Sequence, residues 1–215
     1  PDGRMMVGTR EGLNVFDPET NKFSSQWASE VFARATITSL HLDNHGFLWI
    51  ATESNGIYRY DFDGKVDRIT MQGNASKAIE RTFVIDIMED ADGNFWFCTA
   101  HYGVIRYSPA KDSWLSIQNN PESIARLPHN SVRVAFQDMS GIIWMGTERG
   151  VVKHNKSRDR FRVYLNDRAG NSSIRGSKVF SIVPLNNESV WIGSGDGGVT
   201  LLNLVTDERQ KLEIY

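Results

Sequence analysis

Residues 37–60 read ITSLHLDNHGFLWIATESNGIYRY, and the same skeleton returns along the rest of the chain. Copies occupy residues 83–107 and 132–154, a looser copy occupies residues 179–202, and a shortened one, MVGTREGLNVF, occupies residues 6–16. The full copies carry Trp49, Trp96, Trp144 and Trp191, which are spaced 47, 48 and 47 residues apart. A fixed period of this length is the sequence signature of a repeat architecture.

Each full copy predicts four short antiparallel strands. Residues 37–43 alternate between apolar and polar side chains, as a half-buried strand does, and an Asn-His-Gly turn then leads into the apolar run of residues 47–53. A Ser-Asn-Gly turn at residues 54–56 precedes a third strand, and Phe-Asp-Gly at residues 62–64 precedes a more polar fourth strand. One such meander cannot bury both of its faces, so neighbouring copies must stack, as the blades of a β-propeller do.

The predicted fold class is therefore all-β: β-propeller blades of four antiparallel strands, in an incomplete propeller of about five blades whose first blade lacks its inner strand. Residues 1–215 are predicted to form one partial propeller domain, with blades at approximately 1–26, 37–71, 83–117, 132–165 and 178–215. The four tryptophans are predicted to be structural, as large apolar plates between blades. We expect either an open arc that forms a homo-oligomer through its unpaired blade edges or a piece of a larger ring.

The composition excludes several classes of partner. The net charge is −2, with 40% hydrophobic and 23% charged residues, so no whole-domain field would hold nucleic acid or an anionic membrane. No apolar run approaches about 18 residues, and membrane attachment is expected only through other parts of a longer protein.

The single cysteine, Cys98, takes a place where other copies have Ala or Gly and is predicted to be buried. No cofactor is predicted, and the five histidines lack the spacing of metal ligands.

The best single copy, residues 127–164, combines a hydrophobic strand, an Asp-x-x-Gly turn, Trp-Met-Gly-Thr and a glycine-led strand that ends in His. This pattern closely resembles the two-component regulator propeller repeats, which are found in the extracytoplasmic sensor region of hybrid two-component systems. The resemblance implies a periplasmic sensor, the extracytoplasmic part of an inner-membrane protein, that recognises an oligosaccharide and signals to a distant histidine kinase. Ala51 and Cys98 replace the usual Gly, and Ser194 replaces Thr, which indicates that the motif is a packing signature.

The ligand site is predicted at the rim where loops between blades meet the turns between second and third strands, because a propeller displays its function in loops. The loops between blades are longer than a connection requires. Flat aromatic rings, among them Phe32, suit the C–H face of a sugar, and amides or guanidinium groups suit its hydroxyls. Arginines before inner strands also suggest a basic rim that suits an acidic sugar. The predicted ligand-binding residues are Trp27, Arg34, Asn55, Arg81, His101, Tyr102, His129, Asn130, Arg149 and Arg175.

Two other function classes remain open at this point. One is a protein-interaction platform, as in other repeat propellers, and the other is a propeller glycosidase or lyase. Glycoside hydrolysis needs two carboxylates about 5–10 Å apart. The rim carboxylates Glu11, Glu53, Glu148 and Asp196 occupy equivalent places in successive blades, which spaces them apart. The chain is therefore predicted to be non-catalytic, with an oligosaccharide or other small molecule as its ligand.

Overall fold

A computed structural model describes residues 4–24, 32, 35–70, 82–120, 127–155, 160–165, 174, 176–186, 188–206 and 208–212. Across these residues the chain forms nineteen strands, β1–β19, and one short 3-10 turn at Pro109–Lys111. No helix in this part of the chain has the length and apolar character needed to cross a membrane. The chain divides into two compact units, Pro1–Ile87 and Met88–Tyr215.

The first unit contains two antiparallel sheets. The strands are β1 (Met5–Thr9), β2 (Gly12–Asp17) and β3 (Lys22–Ser24) in a three-stranded sheet, and β4 (Ile37–Leu42), β5 (Leu48–Thr52), β6 (Ile57–Tyr60) and β7 (Val66–Arg68) in a four-stranded sheet. In both sheets, strands that follow one another in the chain are neighbours, which is the meander that the glycine-rich turns predict.

Three further sheets follow, each with four strands in chain order. The first contains β8 (Val84–Glu89), β9 (Phe95–Thr99), β10 (Val104–Ser108) and β11 (Ser113–Ile117), and the boundary between the units lies within β8. The second contains β12 (Val132–Gln137), β13 (Ile143–Thr147), β14 (Gly150–Asn155) and β15 (Arg160–Tyr164). The third contains β16 (Val179–Asn186), β17 (Ser189–Ser194), β18 (Gly198–Asn203) and β19 (Arg209–Leu212). The prediction of four-stranded antiparallel propeller blades, preceded by one that lacks its inner strand, is confirmed. The assignment of residues 1–215 to a single domain stays a prediction.

Within the second unit, consecutive sheets pack face to face. One core contains Trp96 and Cys98 from β9 together with Met145 from β13, all with no exposed surface. A second core joins Trp144 to Val179 and other residues of the last sheet. Gly146 shows how closely the sheets approach, because a Cβ there would lie 2.7 Å from Cγ1 of Val179. This close approach explains why the repeat places a small residue two positions after the tryptophan, and the prediction that Cys98 is buried is confirmed.

The core of the first unit corrects one prediction. Phe32 is 1% exposed and packs edge-on against Tyr58, with ring centroids 5.2 Å apart. Leu13, Ile37 and Ile50 belong to the same cluster. The suggestion that Phe32 offers a flat face to a sugar is therefore wrong, because its ring fills the apolar space between two sheets of this unit.

An aspartate in the first turn of a sheet fixes the tryptophan of the next strand. The Oδ2 atoms of Asp43, Asp90 and Asp138 each accept a hydrogen bond of 2.8 Å from the indole Nε1 of the tryptophan six residues later. In Asp90 the other carboxylate oxygen accepts the backbone N–H groups of Asp92 and Asn94. One carboxylate thus closes the turn and satisfies a buried indole N–H, which would otherwise be costly to bury.

The last sheet departs from this arrangement. Leu185 stands six residues before Trp191, so no carboxylate occupies the equivalent place. Trp191 is only partly buried, whereas Trp49, Trp96 and Trp144 are 2%, 0% and 0% exposed. The looser turn that the sequence shows in this copy therefore coincides with a less buried indole.

Replacing Asp90 with alanine is expected to destabilise the protein by about 3 kcal/mol, because a charged acceptor is lost and the buried Trp96 N–H has no substitute. Asp61→Ala is the matched control. Its carboxylate also closes a turn, accepting from the N–H groups of Asp63 and Lys65, but it lies in an exposed setting and holds no indole. Urea unfolding of both variants measures the difference, and equal losses would show that the indole bond contributes nothing.

Candidate functional site

A threonine hydroxyl forms hydrogen bonds across the turn that connects the second and third strands of a blade. The threonines are Thr9, Thr52, Thr99 and Thr147, in the first four sheets. In the second unit, Thr99 Oγ1 donates to the carbonyl of Gly103 at 2.9 Å and accepts from the N–H of Tyr102 at 2.8 Å. Thr147 makes the same pair of bonds with Gly150 and Arg149. A hydroxyl can donate and accept at once, so one side chain holds both sides of the turn. The residue before the glycine is thus fixed by its backbone, and its side chain is left to vary.

The glycines of these turns connect one sheet to the loop that precedes the next sheet. Gly103 has φ 72° and donates its N–H to the carbonyl of Asn130 at 2.8 Å. Gly150 has φ 116° and donates to the carbonyl of Ser177 at 2.9 Å. The turns and the loops between blades therefore meet at one end of the sheets of the second unit, as the sequence predicts for the rim.

Three of the predicted ligand residues lie exposed on these turns. His101 and Tyr102 follow β9 and Arg149 follows β13, and the Tyr102 side chain is 45% exposed. In the first unit, Asn55 is likewise exposed, and its N–H is held by Thr52. The remaining residues predicted from the loops between blades, Trp27, Arg34, Arg81 and Arg175, lie outside the described residues.

His129 and Asn130 are partly buried and contribute to the loop before β12. The side-chain oxygen of Asn130 accepts the N–H of Asn119 at 2.7 Å, and Nδ1 of His129 accepts the N–H of Ser131 at 3.0 Å. These bonds use one polar atom of each side chain for loop structure. Nδ2 of Asn130 and Nε2 of His129 are not used by these two bonds.

The inner strands of three sheets carry a bulge that the alternating pattern did not predict. The pairing skips one residue between Ile37 and Ser39, between Val132 and Val134, and between Val179 and Ser181. The skipped residues are Thr38, Arg133 and Phe180. A bulge takes a residue out of the ladder and re-aims its side chain. Val132 pairs with Thr147 and Val179 pairs with Ser194, so these two bulges lie at the end of the sheets that carries the rim turns.

At the β12 bulge, Arg133 forms an ion pair with Glu148 of the neighbouring turn, with Nη2 2.7 Å from Oε1. The side chains are 30% and 27% exposed. The hydrogen bond from Arg133 lowers the pKa of Glu148 from its ordinary value, burial opposes this effect, and the charges of Arg133, His129 and Lys178 reinforce it. The guanidinium also lies 4.7 Å from the ring centroid of Phe180. Glu148 is one of the rim carboxylates predicted from the sequence, whereas Arg133 and Phe180 are not among the predicted site residues.

The second rim carboxylate of this unit is also engaged within the protein. Asp196 accepts hydrogen bonds from the N–H and hydroxyl of Ser177 and from the N–H of Lys178, and these bonds, that of the Ser177 hydroxyl foremost, lower the pKa of Asp196. A glycosidase needs one carboxyl group whose pKa is raised so that it can act as an acid. The pKa values of Glu148 and Asp196 are instead both lowered. The part of the chain that the structure describes also holds no group of three or more potential metal ligands.

A model of the family described as "Two component regulator propeller" matches residues 79–101 and 126–149. The first match overlaps the copy at residues 83–107, and the second overlaps the best single copy, at residues 127–164. Among curated proteins, histidine kinase P4 from Formosa agariphila is 27% identical over 108 residues, which covers 48% of this chain and 8% of that protein. The chain thus spans less than a tenth of the length of this relative.

Solved structures show the same fold. The extracellular domain of a putative hybrid two-component system from B. thetaiotaomicron superimposes with a TM-score of 0.70 at 20% identity, covering 82% of this chain and 24% of that one. Virginiamycin B lyase from Staphylococcus aureus superimposes with a TM-score of 0.71 at 13% identity, covering 99% of this chain and 67% of that one. At these identities the likeness shows the β-propeller fold alone.

Proposed function

We propose that this chain, which carries two-component regulator propeller repeats, is a non-catalytic ligand-sensing part of the extracytoplasmic region of a hybrid two-component system. Its location is the periplasm, and its ligand is an oligosaccharide. The repeats and the similarity to a histidine kinase support the assignment to two-component signalling. The rim carboxylates of the second unit, Glu148 and Asp196, are both engaged in hydrogen bonds within the protein, which favours binding over hydrolysis.

The observation that carries the proposal is the contrast between repeated and varied positions in the turns. Thr52, Thr99 and Thr147 make the same bonds in three successive sheets. The side chain presented beside them changes from an amide to a phenol to a guanidinium. A stiff scaffold that displays different exposed groups at equivalent places is the arrangement of a recognition surface.

The chemistry of the displayed groups suits a carbohydrate. A tyrosine ring offers an apolar face to the C–H groups of a sugar and a hydroxyl to its polar edge. Amide and guanidinium groups are planar and offer several hydrogen-bonding atoms to neighbouring hydroxyls. We include Trp27, Arg34, Arg81 and Arg175 in the proposed site as predicted from the sequence, and we retain oligomerisation through open sheet edges as a prediction.

Signalling then follows from differential binding. A ligand shifts a receptor between two arrangements only by as much as its affinity differs between them. A glycan held at the end of the stacked sheets of the second unit would favour one arrangement of the receptor, and a distant kinase module would respond to that change.

The test is isothermal titration calorimetry of the protein with a panel of tetrasaccharides: cellotetraose, laminaritetraose, xylotetraose, mannotetraose and tetragalacturonate. We expect at least one to bind, and we expect Tyr102→Ala and Arg149→Ala each to weaken that binding about tenfold, which corresponds to about 1.4 kcal/mol. Met139→Ala is the control, because Met139 is 86% exposed in a turn at the opposite end of its sheet.

The same mixtures are assayed for cleavage by the release of reducing ends and of unsaturated products. Binding without product supports a sensor. Failure of every tetrasaccharide to bind, or turnover of the sugar that does bind, would contradict the proposed function.

A further inference from the structure

The bulge in β16 presents an aromatic ring beside the rim turn of the last sheet. Phe180 is 49% exposed, whereas the flanking Val179 and the following Ile182 are buried in the core. The ring lies directly against the backbone of Gly195, where an added Cβ would be 2.2 Å from Cε2 of Phe180. The guanidinium of Arg133 contacts the ring on the β12 side. Glycine and arginine thus hold the ring in place and leave half of its surface to solvent.

Beside the ring, the Arg133–Glu148 pair retains further hydrogen-bonding capacity. A guanidinium has five N–H donors, and a carboxylate has two acceptor oxygens. The bond from Nη2 to Oε1 uses one donor and one acceptor, and both side chains reach solvent. The pair is therefore a fixed donor next to a fixed acceptor, oriented by its own ion pair before any ligand arrives.

We propose that Phe180, Arg133 and Glu148 form a subsite for one uncharged pyranose ring of an oligosaccharide. This inference rests on the proposed function and deepens it, because it adds residues of the inner strands to the rim residues predicted from the sequence. The C–H face of the sugar stacks on the exposed part of the Phe180 ring, and adjacent hydroxyls bond with Arg133 and Glu148.

The charges around the ring select a neutral ligand. A free anion would compete with Glu148, which already occupies the guanidinium, and a free cation would be repelled by Arg133 and Lys178. A wholly apolar ligand would remove the hydrogen bonds between water and the ion pair and would offer no polar group in their place. The subsite therefore needs a neutral ligand with an apolar face for the ring and polar groups for the ion pair. A pyranose has both, since its C–H face is apolar and its hydroxyls are adjacent to one another.

The experiment uses calorimetry with the same five tetrasaccharides. We expect Phe180→Ala to weaken the best neutral tetrasaccharide about tenfold or more, and Arg133→Met to do the same, because each removes one half of the subsite. Phe23→Ala is the matched control: Phe23 is an aromatic residue, 64% exposed, on strand β3 of the first unit and is not part of the proposed subsite. It should leave the affinity unchanged. Circular dichroism and thermal unfolding check that each variant is folded.

Gly195→Ala gives a second, independent readout, because the new methyl group displaces the Phe180 ring without removing it. We expect this variant to weaken binding on its own and to have no further effect when Phe180 is already alanine. Additive losses would show that Gly195 acts on something other than the ring and would contradict the subsite.

The outcomes separate the two proposals. If no tetrasaccharide binds, both the sensor function and the subsite are contradicted. If binding depends on Tyr102 and Arg149 but is unchanged in the Phe180, Arg133 and Gly195 variants, the subsite alone is wrong. Tighter binding of tetragalacturonate than of every neutral sugar would contradict the choice of an uncharged ring.

Discussion

Replacing Gly150 with alanine is expected to destabilise the protein by about 2–5 kcal/mol, with two physical causes. Gly150 has φ 116°, a conformation that costs an alanine about 1–2 kcal/mol. A Cβ there would also lie 2.1 Å from the carbonyl oxygen of Tyr164 in the paired strand β15. Because this atom belongs to the backbone, the clash is relieved only by moving β14 away from β15, which adds about 1–3 kcal/mol.

Gly198→Ala is the control for that prediction, because Gly198 occupies the same turn of the next sheet. It has φ 78°, but a Cβ there would meet nothing within 4 Å. Only the conformational cost of about 1–2 kcal/mol is expected. The two variants are compared by urea unfolding. Losses of equal size would mean that the turn adapts and that its contact with β15 does not constrain it.

Trp96→Ala is expected to cost about 3–5 kcal/mol, the usual loss for a large aromatic side chain removed from a core. The indole is fully buried among Cys98, Val132 and Met145, in the core between two sheets of the second unit. Its removal also takes away the indole N–H that the carboxylate of Asp90 accepts. The cavity and the lost charged hydrogen bond act in the same direction.

Trp191→Ala tests the contribution of burial at the same repeat position. Trp191 is partly exposed, and Leu185 stands where the other sheets have the aspartate. We expect no more than half the loss found for Trp96→Ala, since less apolar surface is buried and no carboxylate loses its partner. The free energies come from urea unfolding of matched samples. A larger loss for Trp191 would contradict the view that the carboxylate and burial together fix the indole.

The repeat made most of the fold predictable. Glycines stand three residues before the tryptophan in three copies and six or seven residues after it in all four. These turns determine where strands begin and end, because turn geometry and strand pairing are local. The hydrogen bond from Trp96 to Asp90 also has a sign in the sequence, since the same six-residue spacing recurs in three copies. The Asp-x-x-Gly pattern by itself predicts only a turn.

Other features depend on contacts that sequence patterns do not encode. The bulges at Arg133 and Phe180 arise from how β12 and β16 pair with their neighbours, so the alternating pattern contains no sign of them. Phe32 lies between two predicted strands, which predicts a position on the rim, but its ring packs against Tyr58. The burial of a loop side chain is decided by tertiary packing, which one repeat copy cannot show.

The most direct test of the proposed rim site is to titrate a tetrasaccharide that binds into the isotopically labelled protein and follow the backbone amide chemical shifts. The two ends of each sheet provide an internal comparison. We expect the amide signals to move at the end with the second turns, around Tyr102, Arg149, Arg133 and Phe180, and to stay in place in the first turns at residues 90–93 and 138–141. Shifts confined to those first turns would place the ligand at the opposite end of the sheets and contradict the proposed site.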